Sequence, residues 1–325
     1  MSSIRPDPEL LKKHPNAVTL DQLQEKDRFL GALLGAAAGE SLGAPHEGKR
    51  AADMGPLREV TAGGKWAAGE PTDDIDLTLA LLRSLVARRR FDQDDVARRY
   101  LEWFSRGPKD VGALTRAALE NLRAGDAPEQ ASALAWEDSG RRAAGNGSVM
   151  CCAPLGLLHV RRLEGLAEDA AAASRITHHD PRCVGGCIAV ATAVALLVRG
   201  GRDAEEAIPL AAEAAGAVSD EARAAVERGA SRSPAEMAVD GDDRGYVLRT
   251  VEIAFGALAS GQGFEEGLIS VVSRGGDTDT NGAVAGALLG AIHGRAALPP
   301  AWLRLLLDRE AIEEEAEALA DAATA

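Results

Sequence analysis

The sequence predicts an all-α protein, and three observations support that prediction. Hydrophobic residues make up 46% of the 325 residues, whereas aromatic residues make up only 3%. Ala, Leu and Gly dominate the apolar positions, and runs of β-branched residues are scarce. Ala and Leu are good helix formers, while strands favour β-branched and aromatic side chains. Apolar residues also recur at helical spacing along the chain, and no segment predicts a β-strand.

The N-terminal part of the chain predicts a lead-in followed by a long core helix. Residues 1–24 are polar and contain three prolines, so we expect a loosely held lead-in before a single domain over 25–325. The first predicted helix covers 27–43. Glycines at every fourth position, from Gly31 to Gly39, lie along one face of it. Such a face lets another backbone approach closely.

The remaining helices follow from periodicity and turn signals. They are predicted over 75–90, 92–106, 113–125, 128–138, 149–160, 164–175, 183–199, 203–217, 219–229, 246–260, 278–293 and 300–320. Residues 48–71 hold Gly, Pro and isolated apolar residues without periodicity, so we predict a loop that crosses the surface. Residues 230–244 contain Pro, Gly and acidic residues, and they predict a second exposed loop.

Charge and cysteine usage exclude several classes of function. A formal net charge of −14 argues against binding a nucleic-acid backbone, which needs a basic face.

The four cysteines are Cys151, Cys152, Cys183 and Cys187. Cys183 and Cys187 are four apart, which leaves a zinc site conceivable, but the other pair is adjacent and no histidine stands at a typical spacing. Free buried thiols in a reducing compartment are the preferred interpretation. Without a signal peptide or a run of ~18 apolar residues, we expect a cytoplasmic protein that does not associate with membranes.

Two acidic segments, about two hundred residues apart, carry the main functional signal. One precedes the predicted helix over 75–90, and the other opens the predicted helix over 278–293. Together they hold Thr72, Asp73, Asp74, Asp277, Asp279 and Thr280. A helix N-cap needs one Asp or Thr, so these clusters exceed that role, and adjacent carboxylates repel each other. Clustered oxygen ligands are what Mg²⁺, Mn²⁺ or Ca²⁺ require. We therefore predict that the two helix starts meet around divalent metal.

Six short motifs in this order resemble the ADP-ribosylglycohydrolase family, whose bacterial type is the dinitrogenase reductase-activating glycohydrolase. They are Gly39–Pro45, Thr72–Asp74, Asp110–Gly112, Gly145–Met150, Thr177–His178 and Gly275–Thr280. The resemblance covers about residues 27–295. It implies a compact orthogonal bundle of many helices and a centre of two Mg²⁺ or Mn²⁺ ions. It also implies hydrolysis of the bond between ADP-ribose and an acceptor side chain.

The resemblance assigns the six acidic-segment residues as the metal ligands. Four aspartates contribute −4 and two divalent ions +4, so the loaded centre would be nearly neutral. Asp73, Asp74 and Asp277 are the alternatives for the carboxylate that accepts a proton from an activated water. Glu47 and Asp110 are candidates for protonating or holding the leaving group. A cationic arginine leaving group would favour the acidic pocket that these two residues supply.

The sequence departs from the family pattern at several positions, among them Cys151, which stands where the family often has a basic residue that could contact phosphate. Glu40 stands where the family usually has Asp, and Ile75 stands where Thr is common. Asp76 is an additional acid, and it could compete as a metal ligand.

Substrate contacts are predicted from the other motifs. The glycine-rich turn, residues 145–148, precedes the predicted helix over 149–160, so the backbone N–H groups of this turn can cradle a pyrophosphate. Alone, such a turn more often has no ligand. His178 belongs to the Thr-His pair, and Tyr246 either stacks on adenine or packs in the core. The complete predicted set is Gly145, Asn146, Gly147, Ser148, Val149, Met150, His178 and Tyr246.

The sequence leaves several functions open. The leading hypothesis is a metal-dependent, monomeric hydrolase that releases ADP-ribose from arginine on a protein or from a small conjugate. Serine-linked, nucleobase-linked and O-acetyl-ADP-ribose are alternative substrates. A metal-dependent phosphoesterase or a catalytically silent ADP-ribose-binding protein would also fit these residues. The silent form is disfavoured because all six ligand positions are filled.

Overall fold

A computed structural model describes residues 22–200 and 203–324 of the chain. This part of the chain forms fifteen α-helices and no strands, with three isolated backbone bridges, so the all-α prediction is confirmed. The helices are α1 Gln22–Gly43, α2 Asp73–Arg88, α3 Gln93–Ser105, α4 Ala113–Ala124, α5 Pro128–Asp138, α6 Ala153–Leu158, α7 Leu166–Ser174, α8 Pro181–Arg199, α9 Ala204–Gly216, α10 Asp220–Ala230, α11 Val247–Ala259, α12 Phe264–Val272, α13 Thr278–His293, α14 Pro300–Leu303 and α15 Arg309–Thr324. The predicted lead-in lies outside the described residues, except that 22–24 form the first turn of α1.

The structure differs from the prediction at two predicted helices and at one helix that was not predicted. The predicted helix over 149–160 shortens to α6, because residues 147–151 form turns and Pro154 then occupies the first turn, where its missing N–H costs nothing. The predicted helix over 300–320 divides into α14 and α15, and the backbone N–H of Leu307 in the break donates to the carbonyl of Gly69. Helix α12 was not predicted. Its Gly267 lies against the Leu289 side chain, a tertiary contact that its sequence does not reveal.

Helices α1 and α13 run antiparallel with their backbones in contact. A Cβ atom placed on Gly39 would lie 2.0 Å from the carbonyl oxygen of Gly282, and one on Gly35 would lie 2.3 Å from that of Gly286. No side chain fits at these distances, so glycine is required on both helices. At the end of this contact, the Thr278 hydroxyl donates to the carbonyl of Gly43 over 2.8 Å. The glycine face predicted on α1 therefore holds the start of α13 beside the end of α1.

Helix α8 forms part of the apolar core. By length and composition it is the one helix among 22–200 and 203–324 that could cross a membrane, with a mean hydropathy of 1.9. However, 83% of that stretch is buried inside the fold, as expected for a core helix. All four cysteines are buried and none forms a disulfide, as the free-thiol interpretation predicts.

Asp95 at the start of α3 is a buried carboxylate that three arginines and one serine contact. Burial alone would raise its pKa, but hydrogen bonds from Arg99, Arg98, Ser84 and Arg88 outweigh that effect and lower it. The side chain is 2% exposed, so this carboxylate is held by its partners and not by water. Its stabilising effect is complete above the unfolded-state pKa of about 4 and declines as the pH falls towards the folded-state pKa.

Asp95→Asn should therefore destabilise the protein by about 1–3 kcal/mol at pH 7, because the buried side chain loses its charge-assisted hydrogen bonds, while the partly exposed arginines stay solvated. Urea unfolding of both proteins between pH 7 and pH 3 would measure this. The difference between wild type and variant should shrink below about pH 4. A difference that stays constant with pH would contradict the assignment.

Candidate active site

A cleft of about 510 Å³ opens where the starts of α2 and α13 meet the surrounding loops. Thirteen of the predicted site residues line it: Glu47, Asp73, Asp74, Asp110, Gly145, Asn146, Gly147, Met150, His178, Tyr246, Asp277, Asp279 and Thr280. The predicted residues Thr72, Ser148 and Val149 are not among its lining residues within the described chain. The structure therefore brings the two acidic segments to one hollow, although they are far apart in sequence.

The start of α2 is fixed by Glu40 at the end of α1. The backbone N–H and the hydroxyl of Thr72 donate to Glu40 Oε1 over 2.6 and 2.7 Å, and the Ile75 N–H donates to the same oxygen over 3.3 Å. Thr72 is the N-cap of α2, and its hydroxyl lies 3.2 Å from Asp74 Oδ2. Burial raises the pKa of Glu40 to about 8, and the Thr72 hydrogen bonds oppose that rise. The longer side chain at this position thus caps the helix that carries Asp74.

Two glycines before α13 turn the chain so that Asp277 faces the cleft. Gly276 has a φ of 75°, and a Cβ there would lie 2.1 Å from the carbonyl oxygen of Val239. Asp277 Oδ2 accepts a hydrogen bond from the Asn146 side chain over 2.9 Å. The Thr280 hydroxyl lies 3.5 Å from Asp74 Oδ2, which connects the two helix starts directly.

The carboxylates at this junction carry uncompensated negative charge. Burial, and then repulsion from Asp110, raises the pKa of Asp73 to about 6. Burial also raises the pKa of Asp74 and of Asp279 well above the usual range, with further contributions from neighbouring acids. Asp74 Oδ1 is buried and has no hydrogen-bond partner. A buried carboxylate oxygen without a partner is costly unless a cation binds it.

The donor set suits a hard divalent cation. Within 22–200 and 203–324, no three Asp, Glu, His or Cys side chains form a ready-made ligand cage. The hydroxyls of Thr72 and Thr280 lie 3.2 and 3.5 Å from Asp74 Oδ2 and place two further oxygen atoms beside that carboxylate. Oxygen ligands from carboxylates and hydroxyls match Mg²⁺ and Mn²⁺, and the unpartnered Asp74 oxygen is the position that a cation would satisfy.

Asp76 and Ile75 do not belong to this donor set. Asp76 Oδ2 accepts a hydrogen bond from Trp103 Nε1 over 2.8 Å and does not line the cleft. The expectation that Asp76 competes as a ligand is therefore wrong, because it lies on the opposite face of α2 from Asp74 by helical geometry. Ile75 is buried in the apolar core.

The glycine-rich turn lines the cleft without a helix directly behind it. The backbone N–H of Asn146 donates to the backbone carbonyl of Gly245. The backbone N–H groups of Val149 and Met150 donate to the backbone carbonyl of Asn146. Because α6 starts only at Ala153, the predicted cradle at a helix N-terminus is wrong in that detail. The Ser148 hydroxyl points into the core, where it accepts from Ser174 Oγ over 3.0 Å.

His178 supports the turn from below. A Cβ on Gly147 would lie 2.9 Å from His178 Cε1, so the ring packs directly against this glycine. Its Nδ1 lies 2.9 Å from the Thr177 hydroxyl. Burial lowers the pKa of His178 to about 4, so the ring is neutral at physiological pH. It can form part of the cleft wall but supplies no positive charge to a phosphate.

Tyr246 forms one end of the cleft. The Arg182 guanidinium lies 5.6 Å from the centre of its ring, and Arg182 Nη1 donates to its hydroxyl over 3.2 Å. Asp180 holds that guanidinium with both carboxylate oxygens. The ring is thus fixed at the rim, and it also lines the neighbouring surface hollow between α10 and α11.

Several lining residues were missed by the sequence interpretation. The predicted exposed loop over 230–244 contributes Asp243 and Arg244, and the start of α4 contributes 113–115. Arg244 immediately precedes Gly245-Tyr246, and this adjacency is the signal that could have identified it. Residues 113–115 are ordinary helix-forming residues, and only the fold shows their place.

Comparison with known proteins agrees with this arrangement. A family model described as ADP-ribosylglycohydrolase matches residues 21–325. The chain belongs to the ADP-ribosylglycohydrolase family. It is 32% identical to ADP-ribosyl-[dinitrogen reductase] glycohydrolase of Rhodospirillum rubrum over 302 residues, which is 90% of this chain and 95% of that protein. This is a family of hydrolases that act on glycosyl bonds.

Further members of the ADP-ribosylglycohydrolase family extend the comparison. ADP-ribosylarginine hydrolase Tri1 of Pseudomonas putida (strain GB-1) is 29% identical over 318 residues, covering 94% of this chain and 81% of that protein. ADP-ribosylhydrolase ARH3 of Mus musculus is 25% identical over 322 residues, covering 85% of this chain and 86% of that protein. A solved structure, described as an ADP-ribosylglycohydrolase-related protein complex, is 35% identical with a TM-score of 0.80, covering 93% of this chain and 99% of that one.

Proposed function

We propose that this chain hydrolyses the glycosidic bond between ADP-ribose and an arginine side chain on a modified protein, with two Mg²⁺ or Mn²⁺ ions bound. The observation that carries the proposal is the convergence of Asp73 and Asp74 with Asp277 and Asp279 on one cleft. The unpartnered Asp74 oxygen supports the presence of cations there. Relatives named as ADP-ribosylarginine hydrolase and as ADP-ribosyl-[dinitrogen reductase] glycohydrolase support the substrate class.

The metal ligands in this proposal are Thr72, Asp73, Asp74, Asp277, Asp279 and Thr280. When bound, the ions would supply Lewis-acid chemistry that orients the ribose hydroxyls and makes a water more acidic. Asn146 donates to Asp277 Oδ2 and thereby holds that carboxylate in place. Glu40 does the same for the start of α2 through the Thr72 backbone and hydroxyl.

Glu47 is the acid best suited to exchange a proton during hydrolysis. It lines the cleft, and it lies outside the proposed ligand set. Burial, followed by repulsion from Asp277 and Asp110, raises its pKa. A carboxylic acid with a raised pKa can donate a proton to a leaving group or accept one from water near neutral pH. Asp110, which lies near it, can hold the acceptor side chain.

The charge of the cleft favours a cationic acceptor. Two divalent ions would balance the four aspartates of the ligand set. Glu47, Asp110 and Asp243 then remain, and Arg244 is the only arginine among the described lining residues. Asp243 is paired with Arg249 outside the lining, and Lys65 pairs with Asp110, so Glu47 and an Asp110 released from Lys65 are the acids that can receive a cationic acceptor. An arginine acceptor is stabilised in such a pocket, whereas the neutral serine acceptor gains nothing from it.

The proposal predicts that the protein releases ADP-ribose from an ADP-ribosyl-arginine peptide in the presence of Mg²⁺ or Mn²⁺. Chelation with EDTA should abolish the release, and added Mn²⁺ should restore it. Matched serine-linked and nucleobase-linked conjugates and O-acetyl-ADP-ribose, assayed by chromatography of the products, should react at least about tenfold more slowly, equivalent to about 1.4 kcal/mol. Release of AMP or phosphate instead would favour a phosphoesterase, and binding without turnover would favour a silent protein.

The cellular setting is part of the same proposal. Four free buried thiols fit a reducing cytoplasm. We propose a monomer whose partner is an ADP-ribosylated protein or a small ADP-ribose conjugate.

A further inference from the structure

Two lysines and one tryptophan cluster beside Asp110, an acid that lines the cleft. Lys65 lies in a tight turn that is closed by paired backbone hydrogen bonds between Gly63 and Trp66. The Trp66 side chain is buried, and the ammonium groups of Lys65 and Lys109 lie 5.2 and 5.5 Å from the centre of its ring. Cations at this distance from an aromatic face are attracted to it. The indole therefore holds both lysines in place.

The two lysines pair with different acids. Lys65 donates to Asp110 Oδ2, and Lys109 donates to Glu70 Oε1. Asp110 lines the cleft, whereas Glu70 does not. Both ion pairs join the loop that holds Lys65 and Glu70 to the loop that holds Lys109 and Asp110. Each lysine contacts the Trp66 ring, so the two differ mainly in the acid that each neutralises.

Lys65 occupies the free side of Asp110. Asp110 Oδ1 already accepts the backbone N–H of Val111 over 2.9 Å. That leaves Oδ2 as the oxygen available to a ligand, and the Lys65 ammonium binds it. The turn also packs close to Glu47, because a Cβ on Gly63 would lie 2.8 Å from Cβ of Pro45, two residues away. Burial raises the pKa of Glu47, and the positive charge of Lys65 partly opposes that rise, so Lys65 acts on both acids on the leaving-group side.

We propose that Lys65 is a specificity-determining residue that holds the place of the cationic acceptor on Asp110 until a guanidinium displaces it. This inference rests on the proposed function and extends it to the leaving-group side of the cleft. The guanidinium of a bound arginine would replace the Lys65 ammonium as the partner of Asp110 Oδ2. The ammonium would keep its contact with the Trp66 ring, and water would solvate its other side. A neutral acceptor leaves the Lys65–Asp110 pair intact.

The test compares Lys65→Met with Lys109→Met and Lys65→Arg. Both Met variants remove one positive charge and one contact to Trp66, but only Lys65→Met exposes Asp110. Half-exposed ion pairs of this kind are weak, so we expect the KM for an ADP-ribosyl-arginine peptide to fall about two- to fivefold in Lys65→Met. The inhibition constant of free ADP-ribose, which carries no acceptor, should stay unchanged. Lys109→Met should behave as wild type. Lys65→Arg keeps the charge and can bind Asp110 with two N–H groups, so it should not lower the KM.

Two outcomes would overturn the inference. Equal KM values in Lys65→Met and Lys109→Met would mean that Lys65 has no effect beyond its charge. A loss of kcat in Lys65→Met at unchanged KM would mean that Lys65 holds Asp110 in place for the reaction instead of competing with the acceptor. If the wild type releases no ADP-ribose, the proposed function fails, and dissociation constants of the same two compounds then serve as the readout for Lys65.

Discussion

Replacing Asp74 with Asn is expected to abolish turnover and, at the same time, to stabilise the metal-free protein. Asp74 is buried among other acids, and one of its carboxylate oxygens has no hydrogen-bond partner. Without cations, this charge opposes folding, so its removal should raise the free energy of unfolding by about 1–3 kcal/mol. With cations, the same charge is a proposed ligand. We expect kcat/KM to fall about 1,000-fold, which corresponds to about 4 kcal/mol.

Thermal unfolding with and without Mn²⁺ separates the two effects. Wild-type protein should gain stability from the ion, by about 2.7 kcal/mol at one hundred times its dissociation constant, and Asp74→Asn should gain almost none. Asp76→Asn is the matched control, since Asp76 lies on the same helix, faces Trp103 and can keep that hydrogen bond as Asn. It should retain activity and the response to metal. An active Asp74→Asn variant would contradict the proposed centre.

Replacing Gly39 with Ala should destabilise the fold strongly, although Ala is the better helix former. In an open helix this change stabilises by about 1 kcal/mol. Here the added Cβ would lie 2.0 Å from the Gly282 carbonyl oxygen. The backbones of α1 and α13 would have to separate, and overpacking of this kind costs about 3 kcal/mol or more. We therefore expect a net loss of stability and weaker metal binding, since α13 carries Asp279.

Gly216→Ala at the end of α9 provides the control for helix propensity. A Cβ there would lie 3.0 Å from Cδ of Arg223, a flexible side chain that can move. Chemical unfolding should show Gly216→Ala to be neutral or stabilising and Gly39→Ala to be destabilising. Similar stabilities for the two variants would mean that the close contact between α1 and α13 does not constrain the fold.

Individual residues show how far the site could be predicted from sequence. The acidic residues were recognisable because helix caps need only one polar residue, and each segment has several. Ser148 was assigned to substrate, yet its hydroxyl bonds to Ser174 in the core. Both the cleft side and the core side of a turn accept small polar residues, so sequence alone does not distinguish them. Arg244 was missed because an exposed loop and a cleft rim have the same composition.

The sequence by itself determined the helical class, the glycine face on α1 and the surplus of carboxylates at two helix starts, because each is a local pattern. Only the tertiary structure decided that the α1 glycines pack against Gly282, Gly286 and their neighbours, since which face meets which depends on the whole bundle. That contact places the end of α1 beside the start of α13, and Glu40 then holds the start of α2 at the same point. The long-range convergence of Asp74 and Thr280 follows from this packing, and no local pattern encodes it.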